Sequence, residues 1–129
     1  MRQLKMRFAG PQEVEQIAEW LQATPNNLFD KDILGYPSLR VICSYNGEGP
    51  EAYLPSQRVL MLESLATKPG IEPMAAAQAF RDLVKGQELV ASQEGVKELY
   101  FVCRDPNVID VAKHHGFEVL EYPILRMKL

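Results

Sequence analysis

Glu63 stands inside Arg58-Val59-Leu60-Met61-Leu62-Glu63-Ser64-Leu65-Ala66-Thr67, a run otherwise dominated by apolar residues. A carboxylate so placed must reach a cleft or pair with a cation such as Arg58 or Lys68, and in a cleft it can accept a proton from a reacting group. A solvated glutamate at a strand edge fits the same spacing. His114-His115 resembles a ligand pair, but adjacent helical residues point about 100° apart and cannot chelate one ion. Cys43 and Cys103 lie in β-branched or aromatic runs without ligand spacing, which predicts buried thiols and neither a disulfide nor a metal site. Asn27 to Tyr36 carries Phe29, Asp30, Asp32 and Tyr36. Such a segment can recognise a cationic amine, or it is an acidic loop with two buried aromatic anchors.

These groups need elements to position them. Lys5 to Ala9 alternates as a short strand, and Gly10-Pro11 opens a helix to Ala23 whose inner face is Val14, Ile17, Ala18 and Leu21. Glu13, Glu15, Gln16 and Glu19 fall on its polar side. Asn27 can cap a short second helix through Leu34. Leu39 to Tyr45 and Glu51 to Leu54 read as strands joined at Asn46-Gly47, with Glu48-Gly49-Pro50 lengthening the turn.

Arg58 to Thr67 is the longest apolar strand candidate, which predicts a central position. A long helix follows from Met74 to about Ser92, with Ala76, Phe80, Leu83, Val84 and Val90 on one side and a weak point at Gly86. Lys97 to Cys103 is a buried strand. Asp105-Pro106 caps a last helix that Gly116 stops. Phe117 to Leu120 and Ile124 to Lys128 then read as a terminal strand pair, giving an apolar sheet edge through which two copies can pair.

The chain has 129 residues, 47% of them apolar, and a formal net charge of −3. That length and balance predict one folded domain spanning residues 1–129. No basic run gathers polyphosphate, so nucleic acid is not an expected partner. No apolar stretch follows the charged start Met1 to Arg7, which predicts neither leader nor membrane span and hence a cytoplasmic protein.

Two anchors make this element order specific: the strand ending Leu65-Ala66-Thr67-Lys68-Pro69 before a helix, and Asp105-Pro106-Asn107-Val108 followed by His115-Gly116-Phe117-Glu118. With them the chain resembles the GNAT superfamily of acyl-CoA-dependent N-acyltransferases over nearly all of Met6 to Leu129. The resemblance implies a mixed α/β (α+β) fold with a mostly antiparallel sheet, helices on both faces and a central parallel strand pair. It implies acetyl-CoA as co-substrate, with Leu65, Ala66 and Thr67 along the pantetheine arm and Glu72 to Ala77, including Ala75, Ala76 and Ala77, around the pyrophosphate. Glu63 would be the base for a small-molecule or peptide amine acceptor.

The chain departs from the family pattern at that cradle. Arg or Gln, two residues, Gly, one residue, then Gly or Ala falls on Glu72, Ala75 and Ala77, of which Ala77 alone conforms. Glu72 brings a carboxylate, Pro73 removes an amide N–H, and Ala75 adds a methyl group. The family's acid, a tyrosine before the Gly-Phe pair, falls on Ala112, leaving Tyr100 and Tyr122 as alternatives. Two expectations follow: an N-acetyltransferase acting on a primary amine, or a non-catalytic binding or assembly module on the same architecture.

Overall fold

A computed structural model of the chain describes residues 5–129. The elements run β1 (Met6–Phe8), a 3-10 turn (Pro11–Glu13), α1 (Val14–Ala23), a second 3-10 segment (Lys31–Gly35), β2 (Arg40–Asn46), β3 (Gly49–Ser56), β4 (Leu60–Leu62), α2 (Pro73–Glu94), β5 (Leu99–Phe101) and α3 (Pro106–His115). The strands form an antiparallel ladder, β1-β2-β3, and a separate pair, β4-β5. Leu60 N–H bonds the Glu98 carbonyl at 3.3 Å and Val102 N–H the Leu62 carbonyl at 3.1 Å, the offset pattern of parallel strands. This is the mixed α/β architecture expected from the sequence. The chain divides into two compact units, one running to Leu60 and taking in Ala91–Glu98, the other Met61–Val90 with Leu99–Leu129.

In the first unit, β2 and β3 turn more tightly than the sequence suggests. Asn46 pairs with Gly49, leaving a two-residue loop. Asn46 Oδ1 accepts the Glu48 N–H at 2.7 Å, and Gly49 adopts φ 121°, which a side chain would oppose. The surplus residue is absorbed by an irregularity at Ser44/Tyr45, where Ala52 and Pro50 become successive partners. Ile17 of α1 and Cys43 of β2 are fully buried. Trp20 lies 5.2 Å, centroid to centroid, from Tyr53 of β3.

The short helix expected to start at Asn27 begins instead at Lys31. Asp30 is its cap, accepting the Asp32 N–H at 2.9 Å. The Asn27 side chain is engaged by the Leu21 carbonyl and by the Phe29 N–H.

In the second unit, Phe80 and Val84 of α2 and Ala112 of α3 are buried against Leu65, Leu99, Phe101, Val111 and Phe117. Phe80 and Val84 are four apart and so share one helical face, the stripe that the sequence marks. Leu83 lies off that stripe and is 56% exposed. Helix α2 continues through Gly86 without a break.

Two strand expectations are corrected. Arg58 to Thr67 contributes only Leu60–Leu62 to a ladder, because among the described residues β4 has β5 as its one strand neighbour and pairing stops at Val102. Phe117–Leu120 and Ile124–Lys128 form no strands. Phe117 turns inward onto the rings of Phe80 and Phe101, Pro123 can donate nothing to a ladder, and an isolated two-stranded hairpin is marginal in water. Residues 117–129 therefore present no sheet edge.

Candidate functional site

Beyond Leu62 the chain leaves its ladder. Among the described residues, Glu63 to Thr67 exchange no backbone hydrogen bond, although β4 directly precedes them. Leu65 packs on the Phe80 cluster, while Glu63, Ser64, Ala66 and Thr67 are exposed. One half-buried apolar anchor thus holds a segment whose amides and carbonyls are open to an outside partner. Glu63 forms no ion pair with Arg58 or Lys68, and its side chain is in solvent.

Helix α2 begins ten residues downstream of Glu63, at Pro73. The Ala76 N–H bonds the Glu72 carbonyl at 2.9 Å, so the helical ladder starts there and Glu72 is the cap residue. Pro73 has no N–H. The helix start accordingly offers the amides of Met74 and Ala75, whereas those of Ala76 and Ala77 belong to the ladder. Its field favours an anion, but the exposed Glu72 already supplies one at the same end.

Of the proposed acids, Tyr100 is half-buried in β5, Tyr122 is 41% exposed beyond α3, and Ala112 lies inside the core. The histidines separate as helix geometry requires. His114 Nδ1 sits 2.8 Å from the Asp110 carbonyl, while His115 is half-buried beside Phe80 and Phe117 with Glu88 Oε1 at 3.6 Å. Among the described residues no group of three His, Cys, Asp or Glu could hold a metal ion. Cys43 is fully buried and Cys103 half-buried.

The first unit has its own polar centre, which the sequence reading misses. Glu13, placed there on the solvated face of α1, is 9% exposed. Its carboxylate receives Arg7 Nη1 at 2.6 Å and Nη2 at 3.1 Å, the Gly10 N–H at 2.9 Å and the Tyr53 hydroxyl at 2.6 Å. Donation by Arg7, then by Tyr53 and Gly10, holds the Glu13 carboxyl down at about 2. Burial, followed by the hydrogen bond to Glu13, pushes the Tyr53 phenol up to about 12. Every oxygen of this carboxylate is engaged within the chain, so the cluster braces β1, the first helical turn and β3. The Glu three residues after Gly10 is the one sequence signal for it.

A shallow hollow of about 360 Å³ lies between α1 and the segment beyond it, lined by Ala18, Leu21, Asn27, Phe29, Asp30 and Lys31 among others. Part of the aromatic and acidic stretch picked out in the sequence therefore does line a concavity. Tyr36 lies outside it and acts as an anchor, since its hydroxyl bonds Glu98, which raises the phenol pKa. Glu98 also receives Gln57 Nε2 at 3.4 Å.

No protein-family model matches the chain, and no curated protein does. Solved structures are similar to it over nearly the whole length of both chains. An aminoglycoside acetyltransferase from an uncultured soil metagenomic sample, in complex with sisomicin, has 12% identity over 98% of this chain and 95% of its own, with TM-score 0.43. AAC(6')-Iy, in complex with a CoA bisubstrate analog, has 17% identity over 99% of each chain and TM-score 0.43. A transcriptional regulator from Bacillus halodurans has 15% identity over 98% of this chain and 100% of its own, with TM-score 0.42.

Proposed function

We propose that this chain is a GNAT-type N-acyltransferase that moves an acetyl group from acetyl-CoA to a primary amine. The reading rests on the sequence resemblance and on one structural observation: the unpaired backbone of Glu63 to Thr67 between β4 and α2. An extended amide chain such as pantetheine can satisfy those groups as an added strand would. A free N–H of the same segment can hydrogen-bond the thioester oxygen as negative charge gathers there. The amine nitrogen forms its bond to the acyl carbon, the carbon–sulfur bond breaks, and Glu63, or water held by it, takes the ammonium proton. With Ala112 at the acid's position, the departing thiolate takes its proton from water.

A specific observation favours the second reading, a binding module without turnover. Glu72 and Pro73 reduce the phosphate cradle to two amides beside a carboxylate. Thermal unfolding with and without acetyl-CoA separates the two, since a ligand at a hundred times its Kd adds about 2.7 kcal/mol. The transferase reading expects a rise in Tm at millimolar acetyl-CoA, and a larger rise for Glu72→Arg. No rise in either protein overturns it in favour of the module.

A further inference from the structure

The first unit leaves an apolar hollow of about 320 Å³ whose lining includes Phe8, Val14, Ile17, Leu34, Leu39 and Arg40. It is built where the end of β1, the first turns of α1, the 3-10 segment and the start of β2 meet, all within one compact unit. Ile17 is 2% exposed, whereas Phe8 is 65% exposed and Val14 43%. Large apolar side chains left open around such a concavity gain free energy when an apolar body excludes water from them. The volume falls at the small end of the range of about 300–1,000 Å³ for small-molecule sites.

Arg40 is the one charged residue in the lining. It is exposed, its Nη1 donates to the Leu39 carbonyl at 2.9 Å, and among the described residues it enters no ion pair. Glu13, in the same unit, does not neutralise it, because that carboxylate is taken by Arg7, Gly10 and Tyr53. A guanidinium with unspent donors beside an otherwise apolar concavity matches a molecule with an apolar body and a terminal carboxylate.

From this juxtaposition we infer that the hollow between β1, α1 and the start of β2 is a binding site for a small apolar carboxylate, a medium-chain alkanoate in particular, whose carboxylate pairs with Arg40. The site is independent of acyl transfer, since none of its residues belongs to the proposed donor segment.

Sodium octanoate and neutral 1-octanol are the probes, titrated into the full chain with backbone amide shifts followed by NMR. Octanoate should give saturable shifts centred on Phe8 to Val14, Leu34 and Leu39 to Val41. Arg40→Gln should weaken octanoate by about tenfold while leaving octanol unchanged, as expected for losing one charge-assisted hydrogen bond. Val14→Gln, on the open side of the hollow, should weaken both probes, and unperturbed amide shifts of β3 and of Ala91 to Glu98, in the same unit but outside the lining, report that each variant is folded. The inference is overturned by non-saturable shifts scattered over the surface, or by octanoate affinity that ignores Arg40→Gln. It also fails if the same amides shift with protein concentration alone, which would make this face a contact between copies.

Discussion

The phenol of Tyr53 donates to the Glu13 carboxylate at 2.6 Å across 40 residues of sequence, joining the third strand of the antiparallel ladder to the start of the first helix. Gln16 Oε1 also lies 2.6 Å from that hydroxyl, which has one proton to give. With the Gln16 amide turned over, its NH2 donates to the phenol oxygen and all three groups are satisfied. The carboxylate form of Glu13 and the neutral form of Tyr53 are thus both built into the fold.

Acid and base stability follow from that pairing. The Glu13 carboxyl drops from an ordinary value of 4.5 to about 2, so its contribution is fully present above 4.5 and is lost as pH falls toward 2. Tyr53 rises from 10.0 to about 12, so its contribution is fully present below 10 and is lost as pH climbs through 12. Glu13→Gln should lower Tm at neutral pH and flatten the decline between these acid limits. Tyr53→Phe should raise the midpoint of acid unfolding, because Glu13 loses one of the donors that hold it ionised. Urea midpoints measured across pH check both.

Phe80 is 4% exposed and meets the rings of Phe101 and Phe117 at centroid distances of 5.3 and 6.4 Å. Truncation to Ala removes that contact and leaves a void between α2, α3 and β5. A loss of about 3–5 kcal/mol is expected for Phe80→Ala in equilibrium urea unfolding. Leu83→Ala, one helical face away and 56% exposed, should cost less than about 1 kcal/mol.

Helix α3 is closed at both ends by residues with different physical roles. Asp105 Oδ1 accepts the Asn107 N–H at 2.9 Å, and Asp105→Ala should cost about 1 kcal/mol. Gly116 sits at φ 114°, with nothing within 4 Å of an added methyl group, so Gly116→Ala should destabilise through backbone strain alone, by about 1–2 kcal/mol. Chemical denaturation of the two variants separates the contributions, and the double variant should be near additive.

Glu63 has no structural partner among the described residues, so Glu63→Gln should leave Tm unchanged. If it takes the proton from the amine, kcat should fall about a hundredfold or more while the acetyl-CoA-induced rise in Tm persists. Equal kcat for the two proteins would remove Glu63 from the chemistry.

Local information in the chain carried most of the element order. Periodicity marks Phe80 and Val84 as one helical face, Asp105-Pro106 and Gly116 bound α3, and Asn46 with the nearby glycines makes the hairpin; each depends on residues close in sequence. The Leu65-to-Pro69 and Asp105-to-Glu118 anchors, taken in this element order, likewise carry the resemblance to the GNAT superfamily. Strand lengths were not legible, because a strand exists only where a neighbour bonds it: among the described residues β4 shrinks to three residues with β5 as its sole partner, and the apolar stretch beyond Gly116 finds none. Nor could the residues near Glu13 announce that Tyr53 would reach it, or that Arg40 would border an apolar hollow. Those relations join residues distant along the chain, and the energy that selects them arises only when packing brings the groups together and removes the water between them.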